Sequence, residues 1–209
     1  MNRKTYELTL TSVLLSLVIL LATVPNLGYI QLPFFPVGVT IIHIPVLIAG
    51  AIGSRKMATY LGVAFGLSSL LVALTRASGF ADPLFTSPLV SLLPRLILGI
   101  VLVDIFRMAK AITKFDKSNV SGILVYFFTA TIFHSLSVLS MMYFTAYTGW
   151  YMDILGTKAI ITEAIVGSSS FIKFVYSILI ANGLFEAIFA CMVGVPIVKA
   201  LIISKGRRL

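Results

Sequence analysis

The sequence has little charge and almost no cysteine. Charged residues make up 11% of the 209 residues, whereas hydrophobic residues make up 59%. This leaves too little polar surface to cover a water-soluble globule of that size. The one cysteine, Cys191, excludes an intramolecular disulfide, and no Cys/His cluster has metal-ligand spacing. We therefore predict a protein of the lipid bilayer, in which Cys191 packs in the core.

Signatures of catalysis and of nucleotide binding are also missing. The sequence contains no HExxH, GxSxG or Walker A pattern, so neither peptide hydrolysis nor ATP binding has a visible site. The formal net charge of +9 does not indicate nucleic-acid binding, because the basic residues lie in short clusters between apolar runs. We expect no cofactor, no nucleic-acid partner, no enzymatic activity and an energy source outside this chain.

Long apolar runs dominate what remains. Five have the length of a membrane-spanning helix, and a sixth, shorter run contains His43 and Pro45. The runs cover residues 6–24, 39–53, 57–74, 88–108, 120–147 and about 168–201. They predict an all-α integral membrane protein, with six transmembrane helices in one domain over residues 1–209.

The basic residues predict the orientation. With six spans and both termini cytoplasmic, 12 of the 16 lysine and arginine residues fall in cytoplasmic segments, as the positive-inside rule requires. The other four are Arg76 and Lys158 in outer loops, Lys173 near the outer end of the last helix, and Arg95. Five spans would break this pattern. We therefore expect a multi-pass protein of the cell membrane.

Arg95 lies inside an apolar run that is long enough to cross a bilayer. An arginine at the centre of a spanning helix costs about 2.5 to 3.5 kcal/mol on insertion scales, so it faces a cavity or a partner that recovers this cost. Ser87, Ser91 and Gly99 share its helix face at four-residue spacing, whereas Asp104 points the opposite way and is expected to pair with Arg107. A bound anion is one interpretation of Arg95. A structural ion pair, or snorkelling to a lipid headgroup, is the alternative.

The last helix carries two further polar residues on one face. Asn182 and Glu186 are separated by four positions. The Asn182 amide both donates and accepts, so it contacts either a ligand or another helix. Glu186 is interpreted as a salt-bridge partner of Arg95 or as a protonated acid. Lys173 faces away from Asn182 and is expected to snorkel to the outer interface.

The loop between the first two helices, residues 25–40, is rich in proline and aromatic residues. It contains three prolines together with Tyr29, Phe34 and Phe35. The prolines restrict the loop and the rings offer an apolar face, which predicts a lid over a ligand cavity. An interfacial aromatic belt is the alternative. His43 follows the lid directly and is a candidate ligand contact, although a lone buried histidine is usually a hydrogen-bonding residue.

Small residues predict two close helix contacts. Gly62 and Gly66 form a GxxxG pair in the third run, and Ser12 and Ser16 form a small-xxx-small pair in the first. Packing inside the chain would explain both pairs. In the first helix, a groove of small residues exposed to lipid would also suit docking to another membrane subunit.

Taken in order, these features resemble the S component, the substrate-binding subunit, of an energy-coupling factor (ECF) vitamin transporter. The segments that carry the resemblance are TLTSVLLSL, IIHIPVLIAGAIGSRK, FGLSSLL, PLVSLLPRLILGI and ANGLFEAI. The family usually has two alanines in the first helix, where this chain has Ser12 and Ser16. Because serine is also small, the resemblance still implies docking through this pair.

The resemblance implies a six-helix protein that binds a vitamin in an outward-facing site beneath the loop between helices 1 and 2. It implies binding without chemistry. A membrane-embedded coupling subunit and two ATPase subunits would use ATP to topple the loaded S component, so that its site reaches the cytoplasm. The expected partners are therefore the vitamin, membrane lipid and these three subunits.

The segment DPLFTSPLVSLLPR is most similar to pantothenate-type S components, and Arg95 favours a carboxylate ligand. Folate is the alternative vitamin, but its second carboxylate has no second well-placed cation in the sequence, since Lys173 faces away. Alternatives from other classes are a stand-alone secondary transporter and an intramembrane enzyme that uses His43, His134 or Glu186.

Overall fold

The computed structural model describes residues 3–30, 39–77, 81–113, 120–167 and 171–206. Within these ranges, five helical segments are long and apolar enough to cross a membrane. The helices are α1 (Arg3–Thr23), α2 (His43–Ile52), α3 (Arg55–Arg76), α4 (Pro88–Ser91), α5 (Leu93–Ile112), α6 (Val120–Thr148), α7 (Lys158–Thr162), α8 (Phe171–Ile178) and α9 (Leu184–Gly206). Two short strands, β1 (Tyr29–Ile30) and β2 (Val39–Thr40), precede α2. The long apolar helices fit the predicted all-α membrane protein.

The predicted second span is a short helix behind a β-hairpin. Val39 and Thr40, which the sequence pattern assigns to this span, form β2 and pair antiparallel with β1. The ten residues of α2 rise about 15 Å, roughly half of the hydrocarbon core of a bilayer. Its first eight residues, His43 to Gly50, are all buried, as expected of a helix that is apolar on every side. By length, α2 does not span a bilayer alone.

Contacts made by the two ends of α3 define the two ends of the bundle. Arg76, the last residue of α3, donates hydrogen bonds to the backbone oxygens of Ala22 at 2.6 Å and Thr23 at 3.0 Å, where α1 ends. We call this the cavity end. Arg55, the first residue of α3, forms an ion pair with Asp104 of α5 at 2.7 Å, and this marks the opposite end.

Asp104 pairs with two arginines at the opposite end. Arg107 lies 3.5 Å from its carboxylate, so the predicted pair is confirmed, but Arg55 on the neighbouring helix is nearer. The three side chains are substantially exposed, so their contribution to stability is small. The prediction that Asp104 does not pair with Arg95 is also confirmed.

Gly62 and Gly66 bring α3 into close contact with α4 and α5. A Cβ atom at Gly62 would collide with the backbone oxygen of Arg95, and one at Gly66 would lie 2.9 Å from the Cα of Leu92. Gly99 makes the reciprocal contact, since a Cβ there would lie 2.6 Å from the Ala58 backbone oxygen. The GxxxG pair therefore packs helices within the chain. Because Gly62 lies against the backbone of Arg95, this contact also fixes the position of Arg95 relative to α3.

The predicted fourth span is interrupted between α4 and α5. Pro94 has no N–H, and its ring clashes with the carbonyl four positions earlier in a regular helix. That carbonyl belongs to Val90, and it accepts a hydrogen bond from the guanidinium of Arg95 instead. The proline thus both breaks the helix and frees the acceptor that draws the Arg95 side chain back toward the cavity end.

The last predicted span covers residues 168–201. Residues 168–170 lie outside the described residues, and α8 begins at Phe171. A π-helical turn, Leu179–Gly183, joins α8 to α9. Such a turn inserts an extra residue into the helical ladder and is frequent at functional sites. Here Asn182 and Gly183 are both buried, so two adjacent positions face the interior.

Candidate binding site

Two neighbouring cavities lie at the cavity end of the bundle. The first cavity, of about 130 Å³, lies between the end of α1, the hairpin and α3. The second cavity, of about 50 Å³, lies between α6 and the junction of α8 with α9. Thr40, Phe85 and Arg95 line both cavities. These three residues therefore form the boundary between them.

Arg95 is held at this boundary, and no described carboxylate forms an ion pair with it. Its side chain is 2% exposed, and its guanidinium carbon lies 5.1 Å from the ring centre of Phe65 and 5.2 Å from that of Phe85. Two aromatic faces attract a cation, but they accept none of its in-plane hydrogen bonds. Within the described ranges, the Arg95 Nε has no hydrogen-bond partner, and the ion pairs found there do not include Arg95. The arrangement leaves a fixed cation with N–H donors available to an anion.

Glu186 forms no ion pair with Arg95, because its carboxylate contacts the hairpin. Its Oε1 accepts hydrogen bonds from the Thr40 backbone N–H at 2.6 Å and from the Thr40 hydroxyl at 3.1 Å. The salt bridge with Arg95 that the sequence allowed is not formed among the described residues. Glu186 and Asn182 nevertheless both line the second cavity with Arg95. The carboxylate thus anchors the strand that leads from the predicted lid into α2.

We expect loss of the Glu186 anchor to loosen the hairpin. In Glu186→Ala, the buried N–H and hydroxyl of Thr40 lose their acceptor, which costs about 1 to 3 kcal/mol. Thermal unfolding should therefore shift to lower temperature, whereas Glu186→Gln, which keeps the Oε1 acceptor, should retain most of the stability. Glu163→Ala, which removes an exposed carboxylate, is the control. Equal destabilisation by Ala and Gln would show that the negative charge is what matters, and not the hydrogen bonds to Thr40.

The two histidines stack on each other beside the second cavity. Their ring centres are 5.9 Å apart, and the His134 ring also contacts Phe65 at 5.6 Å. His134 lines the second cavity. His43 is completely buried and is absent from the linings of both cavities. The structure therefore places His134 at the cavity wall and the predicted contact, His43, behind it.

Tyr29 is one of the predicted lid residues that reach the site. It lines the first cavity, and its side chain is close to Ser69. Burial raises the pKa of its phenol, against the opposing effect of the Arg95 charge, so the hydroxyl is protonated at neutral pH and can donate a hydrogen bond. Phe34 and Phe35, the other two predicted lid residues, lie outside the described residues.

The polar face predicted around Arg95 has several roles. Ser91 is buried, and its hydroxyl donates to the Ser87 backbone oxygen at 3.0 Å, within its own turn. It is not part of either cavity lining. Gly99 contacts α3, as described above. Arg95 alone among these four residues reaches the cavities, because the interruption after Ser91 changes the helical register.

Several cavity residues were not singled out from the sequence. Among them are Thr40, Ser69, Phe85 and Arg76. Ser69 lies seven positions after Gly62 on the same face of α3, so helical spacing offers a signal for it. Phe85 lies in the 3-10 segment Asp82–Thr86, where no periodicity indicates direction. The prediction that no second cation is well placed for a second carboxylate is wrong, because Arg76 lines the first cavity together with Arg95.

Ser12 and Ser16 lie on an exposed face of α1. Their hydroxyls donate to the backbone oxygens of Leu8 at 3.0 Å and Ser12 at 2.8 Å. These bonds satisfy the hydroxyls within the helix, so each serine presents a small surface with little remaining polarity. Of the five long helical segments in the described ranges, α1 buries the smallest share of its apolar window. Lipid or a partner helix can approach closely here.

Comparison with known proteins relates this architecture to a family. The family model described as "ECF transporter, substrate-specific component" matches residues 6–198. The chain belongs to this family. As an S component it is a subunit of a membrane transporter, and the family is one of transporter components and not of enzymes.

One curated relative is a protein named pantothenate transporter PanT, from Leuconostoc mesenteroides subsp. mesenteroides. It is 29% identical to this S component over 103 residues, which cover 48% of this chain and 50% of the relative. The chain thus aligns with about half the length of this curated relative. The family match covers nearly the whole chain, whereas this likeness to a pantothenate transporter is partial.

Proposed function

We propose that this S component captures pantothenate on the outer face of the cell membrane and delivers it to the cytoplasm. The carboxylate of the vitamin binds Arg95, beneath the loop of residues 25–40. A coupling transmembrane subunit and two ATPase subunits consume ATP and drive the movement, so this chain itself needs no cofactor. The chain has six transmembrane helices, and both termini are cytoplasmic.

One observation carries the proposal. Arg95 is a buried cation that borders two cavities, contacts two aromatic rings and forms no ion pair with a described residue. A charge in such a setting needs an opposite charge, because desolvation of an unpaired cation is costly. A carboxylate on a ligand supplies this charge and accepts the remaining N–H donors with the strength of a charge-assisted pair.

The rest of the cavity suits the remainder of pantothenate. The ligand carries hydroxyl groups and an amide besides its carboxylate. Tyr29 and Ser69 line the first cavity with polar groups, and Asn182 and His134 do so in the second. A molecule that extends from Arg95 into either space therefore meets both donors and acceptors.

Folate is the second candidate, and one observation favours it. Arg76 in the first cavity could hold a second carboxylate. Size argues the other way, because the first cavity is about 130 Å³, small against the 300 to 1,000 Å³ that is usual for sites of drug-sized ligands. A pterin joined to a benzoyl-glutamate needs more space than pantothenate. The partial likeness to PanT also supports pantothenate.

The charges at the two ends of the bundle support the proposed orientation. Arg55 and Arg107 lie at the opposite end, and the sequence between α5 and α6 adds Lys114 and Lys117. Because the cytoplasmic side of a membrane protein carries the excess of basic residues, these charges support a cavity end that faces outside. In this arrangement α2, together with the hairpin that precedes it, completes the sixth crossing.

We expect the protein from its native membrane to carry pantothenate. The test is mass spectrometry of the ligand released on denaturation, followed by competition binding with pantothenate, folate, pyridoxine and riboflavin. Pantothenate should be recovered and should displace the bound ligand. Recovery of folate, or of an uncharged vitamin that pantothenate does not displace, would reject the proposed substrate and leave the family assignment untouched.

Two simpler assays address the alternatives from other classes. Vitamin uptake by vesicles that contain this chain alone, driven by an ion gradient, would indicate a secondary transporter. Conversion of the vitamin by the isolated chain would indicate an enzyme. We expect neither, since uptake should require the ATPase subunits.

A further inference from the structure

We propose that Arg76 is a second anion-recognition residue, which attracts the carboxylate ligand to the mouth of the first cavity before Arg95 holds it. This inference rests on the proposed function, because it requires an anionic ligand in that cavity. It assigns a role to an outer-side cation that neither the sequence pattern nor the family match explains.

The position of Arg76 is the first argument. It ends α3 at the cavity end and lines the same cavity as the buried Arg95. Arg76 is exposed, whereas Arg95 is 2% exposed. One cavity thus has an arginine at its solvent side and another at its inner boundary. A ligand that enters from solvent meets the first before the second.

The second argument is that the guanidinium of Arg76 is held in place. Its two terminal nitrogens donate to the backbone oxygens of Ala22 and Thr23 at the end of α1. A guanidinium has five N–H donors, so these two bonds fix its plane and leave others for an anion. A preorganised side chain loses less rotamer freedom on binding a ligand than a free one does. The same bonds also cap α1, so the alternative is that Arg76 has a purely structural role.

The third argument is the balance of charge around the cavity. Its described lining contains Arg76, Arg95 and one carboxylate, Asp82, so the positive charges exceed the negative by one. A cleft with an excess of one sign raises the local concentration of the opposite ion and its association rate. Asn26, which also lines this cavity, adopts a positive φ of 57°, an uncommon conformation of the kind that is concentrated at ligand sites.

Steering and capping predict different kinetics. An exposed charge acts mainly on the association rate and loses its effect as salt increases, whereas a buried pair acts mainly on the dissociation rate. The Debye length falls from about 30 Å at 0.01 M salt to about 3 Å at 1 M. If Arg76 attracts the ligand, its contribution should therefore be large at low salt and absent at high salt. A helix cap would instead affect thermal stability.

The experiment measures association and dissociation rates of pantothenate by stopped flow, with the purified full-length chain, at these two salt concentrations. Arg76→Gln should lower the association rate about three- to tenfold at low salt and leave it nearly unchanged at high salt. Arg76→Lys keeps the charge but not the planar fork, and should retain the association rate. Lys158→Gln removes an outer-side cation that does not line the cavity, and serves as the matched control.

Three outcomes would overturn the inference. The first is an unchanged association rate in Arg76→Gln at low salt. The second is an equal reduction of the association rate in Lys158→Gln, which would mean that the rate depends only on the net charge of the protein. The third is a reduction in Arg76→Lys as large as that in Arg76→Gln, which would indicate the cap. If the wild-type chain does not bind pantothenate at all, the proposed substrate fails as well, so the two failures are distinguishable.

Discussion

Replacing Arg95 with alanine is expected to weaken pantothenate binding about 30- to 4,000-fold. Loss of one partner from a buried, hydrogen-bonded charge pair costs about 2 to 5 kcal/mol, and each 1.4 kcal/mol is about a factor of ten in Kd. The ligand carboxylate would then lie in the cavity with no counter-charge from this side chain. Titration calorimetry on the purified chain measures the effect.

The matched control is Lys173→Ala, which removes an exposed cation near the start of α8 and should leave Kd nearly unchanged. Arg95→Ala also removes a bulky buried side chain and leaves the Val90 carbonyl without its donor. Arg95→Lys and Arg95→Gln separate these effects. Lysine keeps the charge without the planar fork and should bind better than glutamine, which is neutral. Equal affinities for the lysine and glutamine variants, or equal losses from Arg95→Ala and Lys173→Ala, would contradict the assignment of Arg95 as the anion contact.

The burial of Arg95 could be predicted from the apolar composition of the run that contains it. A cation within an apolar run of spanning length must face the interior, and the structure places Arg95 there. Its surroundings could not be predicted in the same way. The helical spacing of Ser87, Ser91 and Arg95 assumes an unbroken helix, but Pro94 interrupts it and leaves only Arg95 facing the cavities. The motif PR at positions 94 and 95 contained this information, since the proline frees the acceptor that the arginine uses.

The roles of Arg76 and Glu186 depend on contacts between distant parts of the chain. Arg76 bonds to residues 53 and 54 positions earlier, and Glu186 bonds to Thr40, 146 positions earlier. Periodicity reports which residues share a face of one helix, but not which helices are neighbours. The sequence could therefore pair Asn182 with Glu186, whereas it could not identify the hairpin as the partner of Glu186.

The helices themselves were predictable to within a few residues wherever an apolar run exceeded the spanning length. The predicted range 120–147 compares with Val120–Thr148 for α6, and 57–74 with Arg55–Arg76 for α3. The short second run is where the prediction was least accurate. Val39 and Thr40 are apolar or β-branched and adjoin a helical pattern, but they pair with Tyr29 and Ile30 as strands. Hairpin pairing competes with helix formation there, and only the fold decides between them.

Bulky replacement of the α1 serines is expected to abolish uptake while binding is preserved. Ser16→Trp, or Ser12→Leu, would fill the small-residue groove that we propose for docking of the coupling subunit. Close helix approach in membranes requires small residues, so a large side chain should prevent assembly. Neither serine lines a cavity, so pantothenate affinity should stay near the wild-type value. Uptake in cells, co-purification with the coupling subunit and titration calorimetry report these three properties separately.

The control must be a similar replacement at another lipid-exposed position. Thr129→Trp on α6 also enlarges a small, exposed polar residue, but on a helix for which no docking role is proposed. If the groove on α1 is the docking surface, only the α1 variants should lose the coupling subunit. Loss of the subunit in Thr129→Trp as well would indicate a general effect of bulk in the membrane. α1 variants that assemble normally but bind pantothenate poorly would mean that the serine face supports the fold of this chain, since only an internal role would connect it to the cavity.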